Sequence, residues 1–391
     1  MYLIILLLPL VVFFYRYSRD TFNPGFLLSS SYIFVSLIIL WTSDVLTYEF
    51  KLETQLFIFC NILAFSFSSL FGALCLRGIS NNLYPLESRV KYNTLLIVFV
   101  TVASAYVLLR FNGYGTSLAE IRESLHEIRS EEVNEGHSQI QYLLTVIYVL
   151  WAWLLIAREK TSKNKVLLIV IFILLLAVSV ASTSKQATFM LFISTFFIMT
   201  KRRLKSIILF ALLGVCVFLF FSFVVRNNDS SNFVLALKTY LTMYVSSPTI
   251  AMQEYYLLWD KLGDSNLLRF FAKLSGGEVA PSLHRPFVYV GVPTNVYTAY
   301  SDYVVYGWLV SIIISIIHGF ICGLLWRLSY FSLWAKIFYS LFAYSIVFIF
   351  FHESFMTYFS LWLQILILAL FVSLSNRLIL RKKKIPSCER F

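Results

Sequence analysis

Long apolar stretches alternate with short polar connections along the whole chain. The apolar stretches cover residues 1–15, 26–43, 54–76, 93–109, 139–157, 166–182, 187–200, 206–225, 304–326, 337–351 and 358–375. A helix of about 20 apolar residues matches the thickness of the bilayer's hydrocarbon core. The pattern therefore predicts an all-α integral membrane protein with about eleven transmembrane helices. The first stretch has no basic residues before it and no small-residue cleavage site after it, so we expect a span rather than a cleaved signal peptide.

Two polar segments, 111–138 and 226–303, are much longer than the other connections. No repeat or proline-rich linker divides the chain, so residues 1–391 are predicted to form a single polytopic domain. Segment 233–247 is apolar, but it is short, carries Lys238 and is followed by Pro248. We therefore expect it to be interfacial or re-entrant and to end at that proline. A further helix is predicted to run to Leu274 and to stop at the following Ser-Gly-Gly turn.

The distribution of charge predicts how these helices are oriented. Only 13% of the residues are charged, against about 25% in soluble domains. The net charge is +12, and 21 of the 32 Lys and Arg residues, with four of the 20 Asp and Glu residues, occupy the odd-numbered connections and the tail. Because Lys and Arg are retained in the cytoplasm, we predict an outside N-terminus, an inside C-terminus, and both long segments outside as the substrate-binding face. Membrane lipids, and no nucleic acid, are the partners that this pattern indicates.

Neither cysteines nor short motifs point to a cofactor. The five cysteines, Cys60, Cys75, Cys216, Cys322 and Cys388, lie in predicted spans or in the tail, so we expect no disulfides. The chain has no Asp-x-Asp, P-loop, His-Glu-x-x-His or Cys-x-x-Cys pattern. We therefore expect neither a metal nor an organic cofactor.

The first long segment contains a predicted amphipathic helix over residues 117–133. Its apolar stripe consists of Leu118, Ile121, Leu125 and Ile128. Arg122 lies beside this stripe and has no acidic residue three or four positions away. The sequence leaves open whether Arg122 is a surface residue or an anion ligand.

Two predicted spans, 187–200 and 337–351, are too short to cross the full hydrocarbon core. The tips that carry Lys185 and the pair His352-Glu353 are therefore predicted to lie below the outer surface, where charged side chains face a cavity or a partner. One interpretation is a buried Lys185–Glu353 ion pair. The other is an outward-facing polar funnel in which Lys185 binds an anion and His352 or Glu353 exchanges a proton.

The second long segment adds polar and aromatic candidates. Arg226, His284, Arg285 and Asn295 supply cationic and hydrogen-bonding groups, and Thr294 is predicted to cap a helix whose N-terminus faces an anion. Tyrosines then recur every three residues, at Tyr297, Tyr300, Tyr303 and Tyr306. They fit either an aromatic belt at the membrane interface or a set of rings that stack on sugars.

In this order, the features resemble the oligosaccharide repeat-unit polymerases, also called O-antigen polymerases, over most of the chain. The resemblance rests on the eleven-span topology with one large late loop, on Gly113-Tyr-Gly-Thr-Ser followed by Arg122, and on Ser182-Thr-Ser-Lys185-Gln between two short spans. Pro293-Thr-Asn-Val-Tyr-Thr298, followed by Asp302 and Gly307, completes it. The family typically has Arg where Lys185 stands.

The resemblance implies a membrane glycosyltransferase of GT-C-like architecture with one large periplasmic loop. Such an enzyme transfers a growing glycan from undecaprenyl diphosphate onto a new undecaprenyl-diphosphate-linked repeat unit, at the periplasmic face of the bacterial inner membrane, and so builds O-antigen for lipopolysaccharide. A polysaccharide chain-length regulator is an implied partner. With no Asp-x-Asp pattern, we expect the reaction to be metal-independent.

The candidate residues divide among three tasks in this chemistry. The candidate ligands of the diphosphate are the external cations Arg226, Arg285, Lys185 and Arg122. The candidate general bases are His352, His284 and Glu353. The candidate sugar ligands are Asn295, Tyr297 and Tyr300. Three rival functions remain at this point: a flippase for the same lipid-linked oligosaccharides, a membrane acyltransferase and a non-catalytic assembly subunit. The absence of an internal repeat and the clustering of charges at external tips favour the enzyme over the flippase.

Overall fold

A computed structural model of the protein describes residues 2–77, 94–112, 115–117, 120–121, 123–124, 135–157, 162–182, 185–200, 216, 233–257, 267–276 and 285–382. The helices are α1 (Tyr2–Ser18), α2 (Pro24–Trp41), α3 (Leu52–Cys75), α4 (Thr94–Asn112), α5 (Glu135–Ala157), α6 (Ser162–Ala181), α7 (Lys185–Met199), α8 (Phe233–Leu241), α9 (Ser247–Met252), α10 (Arg269–Leu274), α11 (Ala299–Val304), α12 (Trp308–Leu328), α13 (Leu333–Val347) and α14 (Phe359–Lys382). Two π-helical turns, Thr242–Ser246 and Gln253–Leu257, flank α9, and strands β1 (Val288–Tyr289) and β2 (Pro293–Thr294) form a small hairpin.

A helix lies at ten of the eleven predicted spans. The remaining stretch, 206–225, falls outside the described residues except for Cys216. By length and composition, α2, α3, α12 and α14 are able to cross a membrane, whereas α1, α4, α5, α6, α7 and α13 have shorter apolar stretches. Helices α7 and α13 have 15 residues each, or about 22 Å of helix, which confirms that these two are short.

The closest helix pair in the bundle is α3 with α12. A Cβ atom on Gly319 would lie 2.2 Å from the carbonyl oxygen of Phe65, and one on Gly323 would lie 1.9 Å from that of Ser69. Small residues spaced four apart permit this approach of two backbones. Polar groups also join the pair, because the side-chain oxygen of Asn61 accepts hydrogen bonds from Ser311 and Ser315.

Helix α13 occupies the centre of the described bundle. It contacts α2, α5, α7, α12 and α14, and nearly all its residues are buried. A helix that is apolar on every side belongs in such a position. It therefore joins the α1–α2–α3–α12 group to the α4–α5–α6–α7 group.

Segments predicted to lie outside the membrane meet at one end of the bundle. Lys238 of α8 pairs with Asp44 at 2.7 Å, and the side chain of Gln253 bonds to the backbone of Glu49 and Lys51. At the opposite end, Asp20 accepts hydrogen bonds from Trp326 and Tyr330. The charge pattern predicts that odd-numbered connections lie on one side of the membrane and even-numbered ones on the other. Both sets of contacts agree with this division.

Two local predictions were wrong, and both concern the large loop. The helical segment that begins at Phe233 does not end at Pro248. A π-turn precedes this proline, and Pro248 lies in the first turn of α9, where a helix tolerates proline. The segment starts with Phe233 57% exposed and goes on to a fully buried Ile250. Thr294 is a buried residue of β2 rather than a helix cap, so it offers no helix N-terminus to an anion.

Two other helix limits were predicted correctly. Helix α10 ends at Leu274, just before Gly276 adopts a φ of 73°. In the first long segment, Ser117 and Glu120 bond to each other's backbone N–H groups, which is the capping box of a helix start. Ile121 is buried, as the predicted apolar stripe requires. Arg122 lies outside the described residues.

Candidate active site

A cavity of about 420 Å³ lies at the end of the bundle where the predicted external segments meet. Its wall comes from α7, the 242–246 turn, the segment before α11, Asp302 of α11, α13 and the segment after α13. The polar lining residues are Gln186, Arg285, Asn295, Asp302, His352, Glu353 and Thr357, and the aromatic ones are Phe189, Tyr244, Tyr297, Tyr344, Phe348, Phe350, Phe351 and Tyr358.

The two short helices account for the position of this cavity. Helices α7 and α13 are neighbours. The rings of Phe189, near the start of α7, and Phe348, just after the end of α13, lie 4.6 Å apart. Because both helices stop early, the bundle is recessed at this place, and the loop 348–358 forms one side of the recess. Such a recess can admit a polar group below the level of the longer helix ends.

Arg285 is the described cation of the cavity, and neighbours hold its guanidinium in place. One terminal amino group donates to Asp302 at 2.5 Å and the other to Ser301 at 3.2 Å. The guanidinium carbon lies 5.5 Å from the centre of the Tyr297 ring. Burial, the largest single effect, would lower the pKa of Arg285, but the charge and hydrogen bond of Asp302 together with Tyr256 and Tyr297 outweigh it, so the net pKa is raised. Arg285 is therefore a fixed positive charge with further N–H groups to offer.

His352 presents an imidazole without a hydrogen-bond partner among the described residues. Both ring nitrogens are buried and unbonded, and the ring packs between aromatic neighbours, 5.5 Å from Tyr358 and 6.2 Å from Tyr344. Burial, and secondarily the charge of Arg285, lower the pKa of His352 to about 4. At neutral pH the ring is uncharged and able to accept a proton.

Glu353 is committed to the loop that follows it. Its carboxylate accepts hydrogen bonds from the backbone N–H groups of Phe355, Met356 and Thr357, and from the Thr357 hydroxyl. The hydroxyl of Tyr303 donates to it more weakly, at 3.4 Å. Burial raises the pKa of Glu353, although these N–H groups act in the opposite direction. The carboxylate thus shapes the turn that carries His352 and has little capacity left for a reacting proton.

The segment Pro293–Thr298 connects the cavity to three other parts of the fold. Thr298 bonds to the hydroxyl of Tyr32 at 2.8 Å and to the carbonyl oxygen of Ile349 at 3.1 Å, and its N–H donates to Pro248. Tyr297 donates its hydroxyl to the carbonyl oxygen of Pro286 at 2.7 Å. These bonds join the segment before α11 to the loop after α13, so Arg285 and that loop line the same cavity.

Comparison with known proteins decides the family. A protein of Escherichia coli (strain K12) named "Putative O-antigen polymerase" is 34% identical over 378 residues, which are 93% of this chain and 95% of that protein. This chain belongs to the O-antigen polymerase family. No family model matches the sequence, and no solved structure matches it.

Several candidate residues come together in this member of the O-antigen polymerase family. Arg285, Asn295, Tyr297, His352 and Glu353 all line the cavity. Helix α7 begins at Lys185, whose side chain is outside the described part, as are Arg122, Arg226 and His284. The ion pair considered between Lys185 and Glu353 therefore remains a prediction.

Tyr300 requires a correction as a sugar ligand of this polymerase-family site. It is fully buried, its ring stacks on Tyr32 at 5.7 Å, and it does not line the cavity. Tyr303 is fully buried as well and bonds to His318. Residues three apart lie on the same side of a helix, and both Tyr300 and Tyr303 of α11 are buried, so this side faces the core instead of forming an exposed row of rings.

The sequence pattern did not single out Asp302 as a partner of Arg285 or Gln186, Tyr344 and Tyr358 as cavity residues. Asp302 is 17 positions from Arg285, and only the hairpin between them brings the two together. Gln186 follows Lys185 directly, and Tyr358 follows the His352 loop. Proximity to the predicted tips was the one available signal for these two. Tyr344 lies within an apolar helix, where nothing marks it.

Proposed function

We propose that this chain is a glycosyltransferase that joins undecaprenyl-diphosphate-linked oligosaccharide repeat units into O-antigen polysaccharide. The observation that carries this proposal is the presence, in one aromatic-walled cavity, of Arg285 and an uncharged His352 that has no hydrogen-bond partner among the described residues. Family membership supplies the reaction, and the cavity supplies groups that suit it. Under this proposal eleven helices cross the inner membrane in a GT-C-like architecture, with the N-terminus and the cavity periplasmic and the C-terminus cytoplasmic.

The reaction needs a proton acceptor and a positive charge. A hydroxyl oxygen of the acceptor sugar attacks the anomeric carbon of the donor glycan, and its proton passes to Nδ1 or Nε2 of His352. The bond between that carbon and the diphosphate oxygen breaks, and undecaprenyl diphosphate leaves with the electron pair. An uncharged imidazole suits the first task, and Arg285 suits the second because charge builds on the leaving diphosphate.

The remaining residues position these two groups and the sugars. Asp302 and Ser301 fix the orientation of the Arg285 guanidinium, while Asn295 and Tyr297 face the space where sugar rings would lie. A charge-assisted hydrogen bond contributes about 1.5–3 kcal/mol, so two that strengthen as the bond breaks supply about 3–6 kcal/mol. Arg226, Lys185 and Arg122 are proposed as further diphosphate ligands, and His284 as the alternative base.

Deletion of the gene in the source bacterium tests the function. Surface polysaccharide is separated on a gel, and the deletion strain should show a single-repeat band without a ladder, because units cross the membrane but are not joined. Loss of both the ladder and the single-repeat band would indicate the flippase instead. An unchanged ladder would contradict both and would point to an acyltransferase or an assembly subunit.

Complementation of the same strain tests the site. Arg285→Ala, at an expression level equal to wild type, should restore no ladder. Lys238→Ala is the matched control, since it removes an external cation whose partner is Asp44 rather than a cavity residue, and exposed pairs contribute about 0–1 kcal/mol. A full ladder from Arg285→Ala would refute the site and leave the function standing.

A further inference from the structure

The β1–β2 hairpin has two different faces. Side chains alternate between the faces of a strand, and the residues on either side of the turn at Gly291 follow this alternation. Val290, Val292 and Thr294 are buried, whereas Phe287, Tyr289, Pro293 and Asn295 are exposed. The register pairs Tyr289 with Pro293 and Val288 with Thr294, and continuing it by one more residue places Phe287 opposite Asn295. Phe287, Tyr289, Pro293 and Asn295 therefore form one surface, the hairpin's outer face.

The other face of the hairpin is fixed to the connection between α2 and α3. The N–H of Thr47 donates to the carbonyl oxygen of Val290 at 3.3 Å. Gly291 has a φ of 98°, and a Cβ atom there would lie 1.9 Å from the carbonyl oxygen of Val45, so only glycine fits. Because this face rests on the connection between α2 and α3, the outer face is turned away from that connection.

The outer face continues the wall of the cavity. Asn295 belongs to both, and Arg285 precedes Phe287 by two positions. Phe287 is 72% and Tyr289 61% exposed, so two uncovered aromatic rings follow Arg285 by two and four positions. Exposed aromatic rings next to a polar cavity are suited to ligand binding, because each ring buries a large apolar area on contact.

We propose that the outer face binds sugar rings of the glycan just outside the cavity, as a separate oligosaccharide subsite; this rests on the proposed function. Sugar rings present C–H faces that pack on aromatic rings, and their hydroxyl groups can bond to the amide of Asn295. Phe287 and Tyr289 are spaced along one face, so they contact consecutive sugars. The subsite holds the glycan beside Arg285 and His352 between successive transfers.

A binding measurement without lipid or diphosphate tests this subsite. The probe is O-polysaccharide released from the host's own lipopolysaccharide by mild acid, added to protein in nanodiscs of phosphatidylethanolamine and phosphatidylglycerol. Wild type should bind it, and the double variant Phe287→Ala/Tyr289→Ala should bind at least about tenfold more weakly. The control pair Phe271→Ala/Tyr306→Ala removes the same residue types from exposed positions elsewhere and should bind like wild type. Equal affinity of the Phe287/Tyr289 variant and wild type would overturn the proposal.

Burial of the outer face in lipid is the competing outcome. Phe287→Cys, in a background without the native cysteines, is labelled with an environment-sensitive fluorophore. Spin-labelled phospholipids should leave its fluorescence unchanged, whereas the released polysaccharide should shift it. Strong quenching by these lipids would place the face in the membrane and overturn the subsite.

The polysaccharide ladder separates failure of the subsite from failure of the proposed function. In the complemented deletion strain, Phe287→Ala/Tyr289→Ala should still give a ladder, shifted toward shorter chains because the glycan dissociates earlier. A wild-type length distribution would overturn the subsite while the loss of the ladder in Arg285→Ala still supports the polymerase. A ladder that persists after gene deletion would overturn the proposed function itself.

Discussion

His352 and Glu353 are adjacent, and both can accept a proton, but their surroundings give them different tasks. The carboxylate of Glu353 already accepts hydrogen bonds from three backbone N–H groups and from the Thr357 hydroxyl. The imidazole of His352 has no bond among the described residues and faces the cavity. The choice between the two as general base therefore depends on which group is left free.

Under the proposed function, the pH dependence of polymer formation follows from the pKa of His352. The proposed general base must be uncharged, and burial with the charge of Arg285 lowers the pKa of His352 to about 4. Activity of the purified enzyme on lipid-linked repeat units should therefore stay level as the pH falls from 8 to about 5 and be half lost near 4. His352→Gln should reduce the rate by at least about 100-fold at every pH.

Acid unfolding is the control for that experiment. The unfolded chain binds this proton with the ordinary pKa of about 6.5, so folding stability falls as the pH drops from there to about 4. Melting curves at each pH separate this loss from catalysis. A half-loss of activity near pH 6.5 with the fold intact, or full activity of His352→Gln, would contradict the assignment.

At the residue scale, the sequence predicted which residue types gather but not how they are engaged. His352, Glu353, Arg285, Asn295 and Tyr297 were identified because charged or polar groups stood at external tips and in one long loop. The bond from Arg285 to Asp302 depends on the hairpin between them, and no local sequence pattern predicts the register of that hairpin. The burial of Tyr300 depends on the angle at which α11 enters the core.

At the scale of elements, the contact between α3 and α12 leaves no room for side chains. Gly323→Ala would place a methyl group 1.9 Å from the carbonyl oxygen of Ser69, so the helices must separate. We expect a loss of about 1–3 kcal/mol of stability, seen as a lower melting temperature in detergent, and no folded protein from Gly323→Leu.

The control for the two Gly323 variants adds volume to an exposed surface of the same helix. Ile317 is about half exposed on α12, so Ile317→Phe should melt like wild type. If Gly323→Leu folds with the wild-type melting temperature, the close approach of α3 and α12 is not present in the protein.

Apolar periodicity located these elements well because length and hydropathy alone fix where a helix can lie in a bilayer. It failed at Pro248, where π-helical turns keep the path helical past a residue that usually ends a helix. Such turns depend on the surrounding packing. Gln253, in the second π-turn, bonds to Thr54 and to the backbone of Glu49, about 200 residues away.

At the scale of the whole molecule, two groups of contacts define two ends of the bundle. A cysteine-labelling experiment tests which end is which, starting from a variant that lacks the five native cysteines. Asp44→Cys and Gly276→Cys should react with an impermeant maleimide in intact cells. Arg16→Cys and Ser332→Cys should react only after the inner membrane is permeabilised, because they lie at the end predicted to be cytoplasmic.

A reversed pattern would invert the proposed orientation and place the cavity in the cytoplasm. A mixed pattern, with Asp44→Cys and Gly276→Cys labelled from different sides, would contradict the placement of these two segments at the same end of the bundle. The charge clusters made the grouping of connections predictable, since an error of one span would have scrambled them. The central position of α13 could not be predicted, because its apolar sequence resembles that of any other span.

The α3–α12 contact can form only late in the synthesis of the protein. Ser311 and Asn61 are 250 residues apart, and a ribosome adds about 5–20 residues per second, so roughly 12–50 seconds pass between them. During that interval α3 resides in the membrane with the polar group of Asn61 and the face of Gly72 uncovered. A nascent chain that stops before α12 therefore leaves this face of α3 without its native partner, and we expect membrane quality control to recognise such a chain.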